Sequence, residues 1–191
     1  MSQNLTFRII VSIILSAAFA RGAGAQQAAD AMKPTLTGQP GFDVVGISAR
    51  TTNAAEATGN GAIPKQWQRL YMENLLGQIP DRLDQSIVAL YTNYASDANG
   101  EYTYILGAKV KPGTKAPGGM VAVSIPGGKY LEFVTAKGPG AEVLPPAWQY
   151  IYGYFQAHAN PTRAFKTDYE LYAVPGDPNA VQAHIFIGVK P

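Results

Sequence analysis

Trp-Gln-x-x-Tyr occurs twice in this chain, at Trp67–Tyr71 and at Trp148–Tyr152. Each copy sits on a predicted helix, and each helix is followed by strand, turn and strand. The first round runs through a strand at Phe42–Ala49 and a loop over residues 51–62. Its helix opens at Pro64, carries Trp67, Leu70, Tyr71, Asn74 and Leu75 at helical spacing, and ends at Gly77. Ser86–Tyr94 and Glu101–Val110 then form a hairpin about Ser96–Gly100. The second round places strands at Met120–Ile125 and Lys129–Thr135 around a Pro126-Gly127-Gly128 turn. Its helix opens at Pro145-Pro146 with Trp148, Ile151, Tyr152 and Phe155 on one face. Strands at Asp168–Val174 and Val181–Val189 flank a turn at Pro175–Asn179. A pentapeptide alone could recur by chance, but a matching place in two similar element orders indicates a duplication. One helix covers only one side of a small sheet, so neither half buries its apolar face alone. The expected fold is therefore α+β. Two pseudo-symmetric β-α-β-β repeats form one antiparallel sheet, with both helices on one face and a ligand cleft on the other.

The residues before this domain read as an address. Arg8, twelve uncharged residues from Ile9 to Ala20, and Ala23-Gly24-Ala25 have the layout of a cleaved signal peptide. The apolar stretch is shorter than the ~20 residues a membrane span needs. Residues 1–25 are expected to be removed, which leaves Gln26 as the new N-terminus, a periplasmic or secreted protein and no membrane span. Residues 26–41 lack a core pattern and are expected to be a flexible segment, with the domain occupying residues 42–191. The mature chain then carries 13 basic and 13 acidic side chains. That balance argues against a nucleic-acid partner.

The 191 residues include no cysteine and two histidines, so thiolate and zinc sites are not expected. Nucleophile-elbow, P-loop, zincin and dinucleotide motifs are absent. His158, after the second helix, and His184, in mid-strand, read as structural. The informative residues are aromatic: 11 Tyr and 2 Trp. Strand alternation puts Tyr102 and Tyr104 on one face and Tyr91 opposite Tyr94. It puts Tyr169 with Leu171, and Glu170 with Tyr172. Sheet packing explains most of these tyrosines. Glu170 is different, because a mid-strand carboxylate is costly to desolvate. Either it lies on a wet face, or it lines a pocket that expects a cation.

The segments Asp43–Ile47, Ile63–Trp67, Val88–Tyr94, Gly100–Gly107 and Asp168–Tyr172 together resemble the GyrI-like effector-binding domain, in its stand-alone, integron-cassette form. The resemblance covers residues 42–190. It implies a small-molecule cleft between the two halves, lined by aromatics and holding a buried glutamate that meets cationic, often aromatic, ligands. That glutamate falls on Glu170, and the pocket aromatics fall on Tyr91, Tyr104, Trp67 and Trp148. Some family members are joined to a helix-turn-helix and activate transcription, whereas no DNA-binding segment is expected before Phe42 here, so direct transcription control is not expected. Other members hydrolyse strained electrophiles with a glutamate and a tyrosine, so the alternative to a binding protein is a hydrolase using Glu170 and a tyrosine such as Tyr91. Haem carriage, known for a distantly similar fold, has only the two histidines to rest on. The sequence favours binding, with no catalytic residue and no cofactor assigned and the oligomeric state undetermined.

Overall fold

The computed structural model describes residues 32–59, 61–173 and 179–190. The expected signal segment, the start of the lead-in and most of the Pro175–Asn179 turn lie outside them. The strands are β1 (Thr35–Gln39), β2 (Phe42–Thr51), β3 (Ile87–Thr92), β4 (Tyr102–Val110), β5 (Val121–Ile125), β6 (Gly128–Val134), β7 (Arg163–Tyr172) and β8 (His184–Val189). The helices are α1 (Asn53–Ala57), α2 (Ile63–Met72), α3 (Leu75–Gln78) and α4 (Gly140–Ala157). All eight strands form one antiparallel sheet in the order β1-β6-β8-β7-β3-β4-β2-β5.

The order β2-β4-β3 in one half is mirrored by β6-β8-β7 in the other, meeting at the β3–β7 pair. Trp67 and Trp148 lie 81 positions apart, as do Tyr71 and Tyr152, and Tyr91 and Tyr172. The contacts obey the same spacing. Trp67 stacks on Tyr71 with ring centroids 6.0 Å apart, and Trp148 lies tilted against Tyr152 at 5.8 Å. Across the halves, Tyr91 meets Trp148 at 5.3 Å and Tyr172 meets Trp67 at 5.2 Å. The α+β fold of two pseudo-symmetric repeats is thus present in topology and in packing.

Three local expectations need correction. First, the segment expected to be flexible contains β1, paired with β6 from Thr35↔Glu132 to Gln39↔Gly128. It is a short, mostly exposed edge strand with little apolar content, which is why no core pattern announces it. Second, β5 and β6 do not pair with each other. Phe42–Gly46 pairs with Val121–Ile125 in the register that β1 and β6 already share. One long ribbon, β1–β2 against β5–β6, therefore runs through both halves and bends where Pro40-Gly41 crosses Pro126-Gly127. A Cβ on Gly41 would lie 2.9 Å from the Ile125 carbonyl oxygen, and one on Gly127 would lie 3.0 Å from that of Gln39. Glycine allows the close crossing, and proline brings no N–H to be left unpaired there. Third, the helices differ in extent. α4 begins five residues before Pro145, α2 ends at Met72, and Asn74 (φ 47°) resets the chain into α3 before Gly77. The loop over residues 51–62 contains α1, capped by the Thr52 side chain on the Ala55 N–H at 3.0 Å.

The sheet has two covered faces. On one, Ile47, Ile87, Ala89, Tyr91, Leu106, Phe133, Ile185 and Ile187 pack under Leu70 of α2 and Ala147 and Ile151 of α4. On the other, Val44, Val88, Leu90, Ile105, Tyr169 and Phe186 pack against Ile125 and Tyr130 of the bent ribbon. That second face is filled by the sheet closing on itself, so the open groove expected there is occupied by core. β3 lies buried between both clusters. Among the described residues, no helix is long and apolar enough to cross a membrane.

Candidate ligand site

The alternation of β7 turns Asp168, Glu170 and Tyr172 toward the helices, and the neighbouring strands bring Ala89, Tyr91 and Tyr104 to the same face. The site therefore lies between sheet and helices, on the pseudo-two-fold axis. Glu170 and Ala89 are direct register partners across β3–β7, and they are also 81 positions apart, the repeat spacing. On the axis, one half supplies a methyl group and the other a carboxylate. The small side chain leaves the room that the large one fills.

Glu170 is 3% exposed. The Trp148 indole Nε1 donates to its Oε1 at 2.6 Å, and the Tyr172 hydroxyl donates to its Oε2 at 2.7 Å. Burial pushes the Glu170 pKa up, while the donors Tyr172, Trp148 and Tyr91 oppose that rise without cancelling it. Burial and the nearby Glu170 charge both hold the phenols of Tyr91, Tyr104 and Tyr172 neutral far into the alkaline range. No ion-pair partner of Glu170 is present among the described residues.

All five residues singled out from the sequence belong to this cluster. Trp148 and Tyr91 meet Glu170 directly, and Tyr104 packs edge-on against Tyr91 at 5.2 Å. Trp67 reaches the cluster through Tyr172. The Tyr104 hydroxyl is buried, with no partner in hydrogen-bond geometry among the described residues. Tyr172 was missed as a site residue, although its place two residues along the Glu170 face carried the signal, as did its equivalence to Tyr91. Next to the cluster lies a second feature absent from the sequence reading, a buried Arg163–Asp168 pair at 2.7 Å joined by the Tyr94 hydroxyl. A further buried carboxylate, Glu56, turns into the N-terminus of α2, where it accepts from the Thr51 hydroxyl and from the Ala62 N–H at 2.8 Å.

Both histidines have structural partners. His158 stacks on Tyr154 at 4.2 Å, and His184 Nδ1 lies 2.7 Å from Glu132. No cluster of three or more His, Asp or Glu suited to a metal ion occurs among the described residues.

The raised pKa makes a stability prediction. Between the ordinary value of 4.5 and its higher folded value, Glu170 stays protonated in the fold while the unfolded chain releases that proton. Stability from this group is full below pH 4.5 and falls as pH rises through the folded pKa, by about 1.4 kcal/mol per unit of difference. Thermal melts of wild type and Glu170→Gln from pH 4 to 8 should diverge on the alkaline side, with the variant the more stable. Parallel curves would show that Glu170 is not desolvated.

The sequence pattern of Cass2, described as the integron-associated effector binding protein family, matches residues 35–189. The chain belongs to that family. It is 31% identical over 150 residues to YobU of Bacillus subtilis, which bears a transcriptional-regulator name, covering 76% of this chain and 90% of YobU. The Vibrio cholerae integron cassette protein VCH_CASS2 has a similar structure, with TM-score 0.66 and 27% identity over 82% of this chain and 95% of that one. The structure of SAV2435 bound to tetraphenylphosphonium gives TM-score 0.64 and 20% identity, covering 83% and 94%.

Proposed function

We propose that this protein is an exported binding protein for cationic, amphipathic aromatic small molecules, held at Glu170 between the aromatic walls of Tyr91, Tyr104, Tyr172, Trp67 and Trp148. One observation carries the reading: a carboxylate buried on the axis of the fold, satisfied by neutral donors and with no ion-pair partner among the described residues. An isolated buried carboxylate is costly, and a guest cation with apolar flanks relieves that cost while gaining cation–π contacts of ~0.5–2 kcal/mol each. Tetraphenylphosphonium, the molecule bound to SAV2435, belongs to this chemical class. The equal numbers of basic and acidic side chains after residue 25 support a role without nucleic acid.

A thermal-shift panel of cationic, neutral and anionic dyes tests the reading. Cationic dyes should stabilise the protein, by ~2.7 kcal/mol at 100 times the dissociation constant, and anionic dyes of the same size should not. The ligand's mass should persist over hours, whereas its decay would indicate turnover. Export makes a separate prediction, that intact mass of protein from the cell envelope gives a chain starting at or near Gln26. A full-length chain in the cytosol would contradict export.

A further inference from the structure

The Arg163–Asp168 pair is built with more care than a passive core contact requires. β7 is irregular where it begins: Arg163 faces Val189 and Asp168 faces Ile187, so five steps on β7 match two on β8. Phe165 takes a φ of +50° within that bulge. Bulges of this kind re-aim side chains, and non-glycine residues in the left-handed region are uncommon. The guanidinium is thereby folded back onto its own strand, 6% exposed. Its Nη2 donates to Asp168 Oδ2 at 2.7 Å, its Nε to the same oxygen at 3.3 Å, and the Tyr94 hydroxyl to that oxygen at 2.7 Å. The Gly188 N–H occupies the other Asp168 oxygen at 2.8 Å. Aromatic rings enclose the cation: Phe165 at 4.6 Å, Tyr152 at 5.7 Å, and Tyr94 and Trp148 at 5.9 Å.

Trp148 belongs to both clusters. Its ring lies against Arg163, its edge meets Tyr91, and its N–H bonds Glu170. Two aromatic boxes therefore share one wall, and the protein's own cation already fills one of them. The two carboxylates that β7 presents on this face differ in the same way, since Asp168 is compensated by Arg163 and Glu170 is not. Glu56, the other buried carboxylate among the described residues, is bound by the Ala62 and Ile63 N–H groups at the start of α2.

We propose that Arg163 is a specificity-determining residue that fixes the charge of the ligand at one. By cancelling Asp168 and occupying the neighbouring box, it leaves Glu170 as the one uncompensated carboxylate on this face among the described residues, so a guest with one positive charge is neutralised, whereas a short-span dication brings a second charge that no carboxylate there balances. The inference rests on the cation-binding reading of Glu170. An unbalanced charge in a dry site is a strong discriminator.

Ethidium and propidium provide the test, because they share a phenanthridinium ring and propidium adds a second quaternary ammonium on a short arm. In fluorescence titrations at fixed ionic strength, the wild type should bind ethidium at least tenfold more tightly than propidium. Arg163→Gln, which leaves Asp168 uncompensated, should narrow that ratio to about threefold or less. The paired Arg163→Met/Asp168→Asn variant removes one charge of each sign, keeps the net charge of the site, and avoids an unpaired buried carboxylate if Arg163→Gln fails to fold. It should retain the preference for ethidium. Equal binding of the two dyes to wild type, an unchanged ratio in folded Arg163→Gln, or a lost preference in the paired variant would each overturn this inference alone. Failure of wild type to bind ethidium or any other lipophilic monocation would overturn the parent reading as well.

Discussion

Glu170→Gln should weaken binding of a lipophilic monocation such as tetraphenylphosphonium by about 100-fold or more, while a neutral aromatic of similar size binds almost unchanged. The substitution keeps shape and hydrogen bonding. The amide oxygen still accepts from the Trp148 N–H, which now lies 2.6 Å from Glu170 Oε1. The amide NH2 donates to the Tyr172 oxygen after that hydroxyl rotates. Only the charge is lost. Removing one partner of a desolvated charge pair costs about 2–5 kcal/mol, and 2.7 kcal/mol is two decades in affinity. The ligand-free variant should fold at least as stably as wild type. Calorimetric titration against both ligands checks this, and equal losses for the two would return Glu170 to a purely structural role.

Gly107→Ala should unfold the domain or destabilise it by about 4 kcal/mol or more, the range reserved for backbone and core failures. Gly46 and Gly107 face each other across β2–β4, both buried. A Cβ on Gly107 would collide with the Val45 carbonyl oxygen and lie 2.5 Å from the Gly46 Cα. These are backbone atoms of a paired strand, so no rotamer change relieves the clash and the ladder must open. Gly118→Ala is the control, since a Cβ there meets nothing within 4 Å. Its melting temperature should match wild type, and that of Gly107→Ala should drop by well over 10 °C. A Gly107→Ala melt within 2 °C of wild type would contradict the close β2–β4 approach.

The sequence made the repeat legible because its markers are local. Trp67–Tyr71 and Trp148–Tyr152 each lie within one helical turn or so, and each helix precedes a recognisable hairpin. Glu170 stood out by the same kind of logic, as a charge where strand periodicity calls for burial. The bent ribbon was hidden because Pro126-Gly127-Gly128 has the local chemistry of a hairpin turn. Only the partner Pro40-Gly41, 86 positions earlier in the chain, turns it into a crossing. The edge strand Thr35–Gln39 buries too little to mark itself. Arg163 and Asp168 are brought together by a bulge around Phe165 whose positive φ no residue type there demands. The side on which the site lies followed from the same closure. Once the ribbon fills the far face, the space between sheet and helices is what remains for Glu170.

The most direct measurement of the account is the affinity of wild-type protein for tetraphenylphosphonium against tetraphenylborate, two ions of nearly the same shape and opposite charge. The buried carboxylate on the pseudo-two-fold axis predicts a preference for the cation of about 100-fold or more, since an anion placed there faces Glu170 in a dry site. Equal affinities, or tighter binding of the borate, would contradict it.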